Sequence, residues 1–339
     1  MADRPILPDV FHYRSLTAGI TEISLKPRLL TDLILNKTSL PTVFSDTKNV
    51  EFDVQTMNHA LIPFMKRSDR AHLMKTDNYK HYIIEPPTMK ESDDLTYDEI
   101  FTQRWADEDL TGVNRNHVVS RIARSQKLIK ERIENNIEWM LSQIVTTGKI
   151  DYSGDYDRFE FDFEVPAANL AETATWSDSS STVILNDLRE WQKEIYSATG
   201  FKNLVALATP DVVDAILSNS GIKTLLDNRR LVIGNIDYGF PYIGNLNGVP
   251  IYEFDESILD EDGSETDLHG ATDLFILVAP DAFQKFYAPS FNKNGPVKSE
   301  IYSYATETDD PEGVKIFAES HMVPVLRYRK GLIVATITV

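Results

Sequence analysis

The chain has 339 residues, 42% hydrophobic and 25% charged, which is enough to bury a sizeable core and too apolar for wholesale disorder. Its net charge of −18 opposes bulk nucleic-acid binding, and the absence of cysteine excludes disulfides, thiolate nucleophiles and zinc–thiolate sites. No apolar run is long enough to span a bilayer and MADRPILPDVF lacks the regions of a secretory signal, so the expectation is a protein of its producing cell's cytoplasm.

Residues 1–45 read as an arm rather than a core, with prolines at Pro5, Pro8, Pro27 and Pro41. Within them PRLLTDLIL predicts one short helix opening on Pro27. NVEFDVQ (49–55) alternates Val50, Phe52 and Val54 with polar residues, as a half-buried strand does. After a polar segment at 66–80 the chain returns through HYII (81–84), which suggests an extended hairpin. A two-stranded ribbon alone is marginal in water, and a neighbouring subunit is one candidate for its support.

NHVVSRIARSQKLIKERIENNIEWMLSQIVTTGKI (116–150) has no proline and one glycine, near its end. Val118, Ile122, Ile129, Ile133, Ile137, Met140 and Ile144 recur mostly at threes and fours, predicting an amphipathic helix of roughly 50 Å. The spacing lacks a sustained heptad and fits a helix lying on a sheet or core. Lys130 and Glu134 are placed to pair, Glu134 and Glu138 to repel, and Gly148 supplies the stop.

RFEFDFEV (158–165) predicts a strand with Phe159, Phe161, Phe163 and Val165 on one face. TWSDSSST (175–182) marks a second domain. Beyond it the pattern gives a helix at 183–198, a strand at 204–209, and a helix starting at Thr209 or Asp211 with Pro210 in its first turn. A turn and strand follow in GNLNGVPIYEFDE (244–256), then a buried strand in DLFILVAP (273–280). Two closing strands in 314–339 are joined at Arg329, Lys330 and Gly331. Strands and helices interleave without a regular βαβ repeat, which is the α+β class.

No chemistry stands out. The seven histidines, His12, His59, His72, His81, His117, His269 and His321, show no metal-ligand spacing. Gly234, Gly239, Gly244 and Gly248 fit turns better than a phosphate cradle. In the acidic stretch 255–267 a calcium loop centred on Gly263 would need an oxygen ligand where Ile258 stands. No catalytic residue, metal site or cofactor is expected. Against the acidic average two basic elements remain. One is the hairpin tip with Lys66, Arg67, Arg70, Lys75 and Lys80; the other is the helix's first half with Arg115, Arg121, Arg124, Lys127, Lys130 and Arg132. They read either as solvated surface or as contacts to acidic surface on neighbouring copies.

The order of elements, with LKPRLLTDLILNKTSLPT (25–42), HYIIEPPTMKESDDLTYDEI (81–100), YIGNLNGVPIYEFDE (242–256) and ESHMVPVLRYRKGLIVATITV (319–339), resembles the lambda-like head protein E family of tailed-phage major capsid proteins. The resemblance implies a Hong Kong 97-type capsid fold. Its parts would be an N-terminal arm (1–45), an extended loop (46–90), a peripheral domain (91–169 and 296–339) with a spine helix at about 112–148, and an axial domain (170–295). It implies a shell-forming protein of the virion, assembled in the host bacterial cytoplasm as hexamers and pentamers. Scaffold, portal and decoration proteins would be its partners, and DNA would be enclosed but not read. The subunit-contact candidates are Lys66, Arg67, Arg70, Lys75, Lys80, Arg121, Arg124 and Lys127. An encapsulin-type nanocompartment and a soluble carboxylate-based hydrolase are the alternatives.

Overall fold

The computed structural model describes residues 11–55, 79–96, 115–154, 158–176, 181–219, 221–222, 236–237, 240–259, 263–293, 295–309 and 312–338. Its longest element is the helix Arg115–Thr147, 33 residues without interruption. Ile122, Ile129, Ile133, Ile137, Met140, Leu141, Ile144 and Val145 are all buried along one side, so the apolar stripe faces its own subunit as its spacing requires. Gly148 ends the helix with φ +73° and donates its amide to the Ile144 carbonyl at 2.9 Å. A Cβ there would sit 3.0 Å from Val165 and 3.1 Å from Leu170, so backbone and space both call for glycine.

The helix leads into the antiparallel pair Lys149–Ser153 and Arg158–Asp162. Phe159 and Phe161 pack on the core and Phe163 is fully buried, as the alternation predicted. A seven-stranded sheet forms the other large layer, in the order Glu172–Thr175, Leu332–Thr338, Leu274–Val278, Val205–Ala208, Val249–Glu253, Phe240–Leu246, Ile236–Asp237. The two most apolar runs, Val205–Ala208 and Leu274–Val278, lie side by side at its centre. Asn247 and Gly248 close the hairpin beside them with φ +52° and +86°, the left-handed pair that a two-residue turn needs. The helix Ser181–Thr199 covers the sheet with Ile184, Leu188, Trp191 and Ile195, and Trp176, Trp191 and Phe275 form one ring cluster with centroids 5.2–6.1 Å apart. Pro210 opens the next helix, Pro210–Ser218. The Thr209 hydroxyl before it is drawn to the neighbouring strand, donating to the Thr272 carbonyl at 2.6 Å and accepting from Leu274 N–H at 2.8 Å.

Three expectations change. The closing segment holds three strands, not two: Glu312–Ser320, Met322–Leu326 and Leu332–Thr338. Each joins a different sheet. The first lies between Tyr302–Asp309 and Met89–Thr96, the second pairs with Phe283–Tyr287, and the third enters the seven-stranded sheet. Leu332–Thr338 pairs there with Leu274–Val278 on one side and Glu172–Thr175 on the other. An apolar run announces a strand but not its partner.

The second change concerns the arm. Within residues 11–45, Leu16 and Ile20 of the helix Tyr13–Glu22 are buried, as are Leu29, Leu30, Leu33, Ile34 and Leu35 around the short π-helix Thr31–Leu35, all packed against the rest of the subunit. The helical turns begin at Leu29, two residues after Pro27. Third, Lys130 does not pair with Glu134. Its ammonium donates to the carbonyls of Ile20 (3.2 Å), Thr21 (3.4 Å) and Ile23 (2.6 Å), closing the carboxyl end of the first helix, where a cation is favoured.

Candidate subunit-contact surfaces

The hairpin is the first surface. Val50–Gln55 and Tyr79–Ile84 pair in register from Val50 opposite Ile84 to Gln55 opposite Tyr79. Val50, Phe52 and Val54 are buried, and the Phe52 ring meets Tyr82, Phe161 and Phe286 at 5.7–5.8 Å. Above this ring cluster Glu164 gathers polar groups. Tyr82 donates its hydroxyl to Glu164 at 3.0 Å, Arg329 lies 3.0 Å from the same carboxylate, and Lys80 forms an ion pair with it. Hydrogen bonds from Lys80 and Tyr82 hold the Glu164 carboxyl below its ordinary range, while burial pushes the Tyr82 phenol up. Support for the described base thus comes from the chain itself. The tip residues Lys66, Arg67, Arg70 and Lys75 lie outside the described residues.

The second surface is the basic half of the long helix, and the structure divides it. Arg121 turns inward to Asp93 at 3.1 Å and to the Ser125 hydroxyl at 2.9 Å, and Arg132 pairs with Glu91. Both acids belong to Met89–Thr96, so these two cations fasten helix to sheet. Lys80 and Arg121, two of the candidate contacts, therefore have acidic partners inside the subunit. Arg124 and Lys127 remain exposed. Lys127 reaches Glu131 only at 4.0 Å, and Arg124 has no ion-pair partner among the described residues. With Leu128, half exposed, they share one outward face at helical spacing.

Three hairpins also carry exposed apolar side chains: Ile83 (59% exposed), Leu259 (71%) and Phe291 (59%). Leu259 belongs to the acidic stretch, which folds as a small hairpin, Ser257–Leu259 against Glu265–Asp267. Among the described residues no cluster of histidine and carboxylate side chains is arranged to hold a metal ion. Four histidines make local contacts: His12 caps the first helix, His81 meets Asp53 at 2.9 Å, His269 packs on Phe254, and His321 meets Thr88 at 3.1 Å.

Sequence reasoning missed one polar residue of consequence. Glu138 stands in the apolar stripe between Ile137 and Leu141 and is 1% exposed. The signal was an acid on the buried side of the helix, one position after Ile137.

The sequence profile of the family described as phage major capsid protein E matches residues 12–337. Among solved structures, a prophage capsid protein of E. coli CFT073 is similar with a TM-score of 0.68 at 16% identity, covering 96% of this chain and 99% of that one. The mature capsid of bacteriophage PhiM1 gives 0.50 at 11% identity, over 94% and 90%. The capsid of cyanophage P-SCSP1u gives 0.51 at 8%, over 93% and 90%. At such identities these likenesses establish the fold, which is the Hong Kong 97 type. A search of curated proteins finds no significant match. The chain belongs to the phage major capsid protein E family and is a shell protein of the phage head.

Proposed function

We propose that copies of this chain close into an icosahedral shell of hexamers and pentamers that encloses the packaged double-stranded DNA of a tailed phage. The observation that carries this is the unbroken family match over 12–337 on a Hong Kong 97-type fold. The same match favours a phage head over an encapsulin compartment or a soluble hydrolase. The role is structural, without catalysis, and assembly takes place in the host bacterial cytoplasm with scaffold and portal proteins and, on some heads, decoration proteins. The division into arm, extended loop, peripheral and axial units belongs to the same reading, with Leu332–Thr338 as the strand by which the closing segment reaches the axial sheet.

The physical argument is electrostatic. At −18 per chain, copies repel, and contacts between them must place cations on acidic surface. Lys66, Arg67, Arg70 and Lys75 at the hairpin tip, and Arg124 and Lys127 on the helix, are the cations offered for this. Lys80 and Arg121 contribute by holding the hairpin and the helix in place. A negative inner surface lets enclosed DNA slide. Reversing Lys66, Arg67 and Arg70 together to Glu is expected to leave the subunit folded by circular dichroism and to abolish fast-sedimenting particles. Normal particles from that triple variant would remove the tip from the interface.

A further inference from the structure

Among the described residues, two positions other than glycine have φ above zero, Asn247 and Glu164, both at +52°. Asparagine tolerates the left-handed region, and Asn247 stands in a two-residue turn that requires it. Glutamate does not, because its Cβ crowds the following carbonyl oxygen there. A bend alone would be met better by glycine or asparagine. The strain at Glu164 therefore directs attention to its carboxylate.

That carboxylate gathers three donors from two directions. The Tyr82 hydroxyl donates at 3.0 Å, and Lys80, two residues earlier on the same hairpin strand, forms an ion pair. Arg329 approaches at 3.0 Å from the turn between the closing strands, with a side chain only 17% exposed. It donates to the Tyr82 hydroxyl as well, at 2.6 Å, so the phenol links cation to carboxylate. Asp162 fixes the bend by accepting the Glu164 N–H at 2.6 Å. Phe163 and Val165 on either side are buried, which anchors the backbone that carries the carboxylate.

The rings at the hairpin base and the Glu164 cluster differ in what they fix. Phe52, Tyr82 and Phe161 hold the base by burial, which has no preferred direction. Hydrogen bonds are directional, and Glu164 takes two of its donors from one hairpin strand. We propose that Glu164 is a strained clasp that sets the angle at which the hairpin leaves the subunit, with Arg329 as its counter-charge. Opening the clasp lets Glu164 relax out of the left-handed region, so strain released at the backbone offsets part of the loss of bonds. The bonds from Lys80 and Tyr82 favour the ionised carboxyl, which is the form the clasp uses. In a shell this angle decides whether the hairpin reaches a neighbour, a consequence that rests on the function proposed above.

Two variants of the full chain separate charge from strain. Glu164→Gln keeps the size and the strain and removes the charge. Glu164→Asn suits the left-handed backbone but is too short to hold both hairpin donors. Hydrogen exchange with mass spectrometry on peptides covering 50–55 and 79–84 is expected to show protection lower by roughly tenfold in both variants. The midpoint in denaturant is expected to fall for Glu164→Gln and to stay at the wild-type value for Glu164→Asn, whereas a role in packing alone would lower both. Hairpin protection at the wild-type level in a folded variant would overturn the clasp, and equal midpoints for the two variants would overturn the strain. Should Glu164→Gln not fold, Glu164→Asn alone decides the clasp by exchange. Electron microscopy then reads assembly. Normal shells from a variant with a loosened hairpin would remove the angle from assembly, while a wild type without shells would remove the shell reading and leave the exchange result standing.

Discussion

The N-terminal segment and the hairpin look alike in sequence and differ in the fold. Both are thin stretches that precede the long helix, and both read as parts seeking support from outside the subunit. The N-terminal segment buries Leu29, Leu30, Leu33, Ile34 and Leu35 in the main core and ties the amides of Leu30 and Thr31 to Glu138. The hairpin is held at its base by one aromatic cluster around Phe52 and one polar cluster around Glu164 that includes Lys80. The lesson is that thinness in sequence does not decide dependence on a neighbour. What decides it is whether apolar side chains recur densely enough to reach the subunit's own core.

Substitutions in the two regions can break this contrast. Phe52→Ala removes the ring that joins the hairpin base to Phe161 and Phe286 and is expected to cost about 3–5 kcal/mol, read as a lower midpoint in denaturant. Leu33→Ala empties a fully buried site in the segment and is expected to cost about 2–5 kcal/mol by the same measurement. A cost below about 0.5 kcal/mol for Leu33→Ala would mean that the segment is not part of the subunit's core. Gly148→Ala keeps the apolar stripe but forces a Cβ into a left-handed position against Val165 and Leu170, with an expected loss of about 1–2 kcal/mol. Arg124→Ala, on the exposed face of the helix, should change subunit stability by less than about 0.5 kcal/mol and alter only assembly. A large loss of stability there would show that the outward face has a partner inside the chain.

Local features were legible in the sequence because their signals are local. The period of Ile122 to Ile144 gave the long helix and its buried side, the alternation of Val50, Phe52 and Val54 gave a hairpin strand, and Asn247-Gly248 gave a turn that only φ above zero can build. The partners of the closing strands were not legible, since 312–338 feeds three sheets whose other strands lie up to hundreds of residues away. PRLLTDLIL signals a short helix locally, but nothing local says that its leucines reach the core of the whole subunit. The spacing of Glu134 and Glu138 predicts repulsion on a helix with many charges, and only the packed structure shows that the Glu138 carboxyl lies inside. For the surface cations the sequence marked the right side chains but not their direction, because Arg121 and Arg132 turn to Asp93 and Glu91 while Arg124 faces outward.

Electron microscopy of the purified protein across a concentration series reads assembly directly. Closed shells are expected, or hexamer and pentamer rings that become shells as concentration rises. A folded protein that stays monomeric, with no rings at any concentration, would contradict shell assembly.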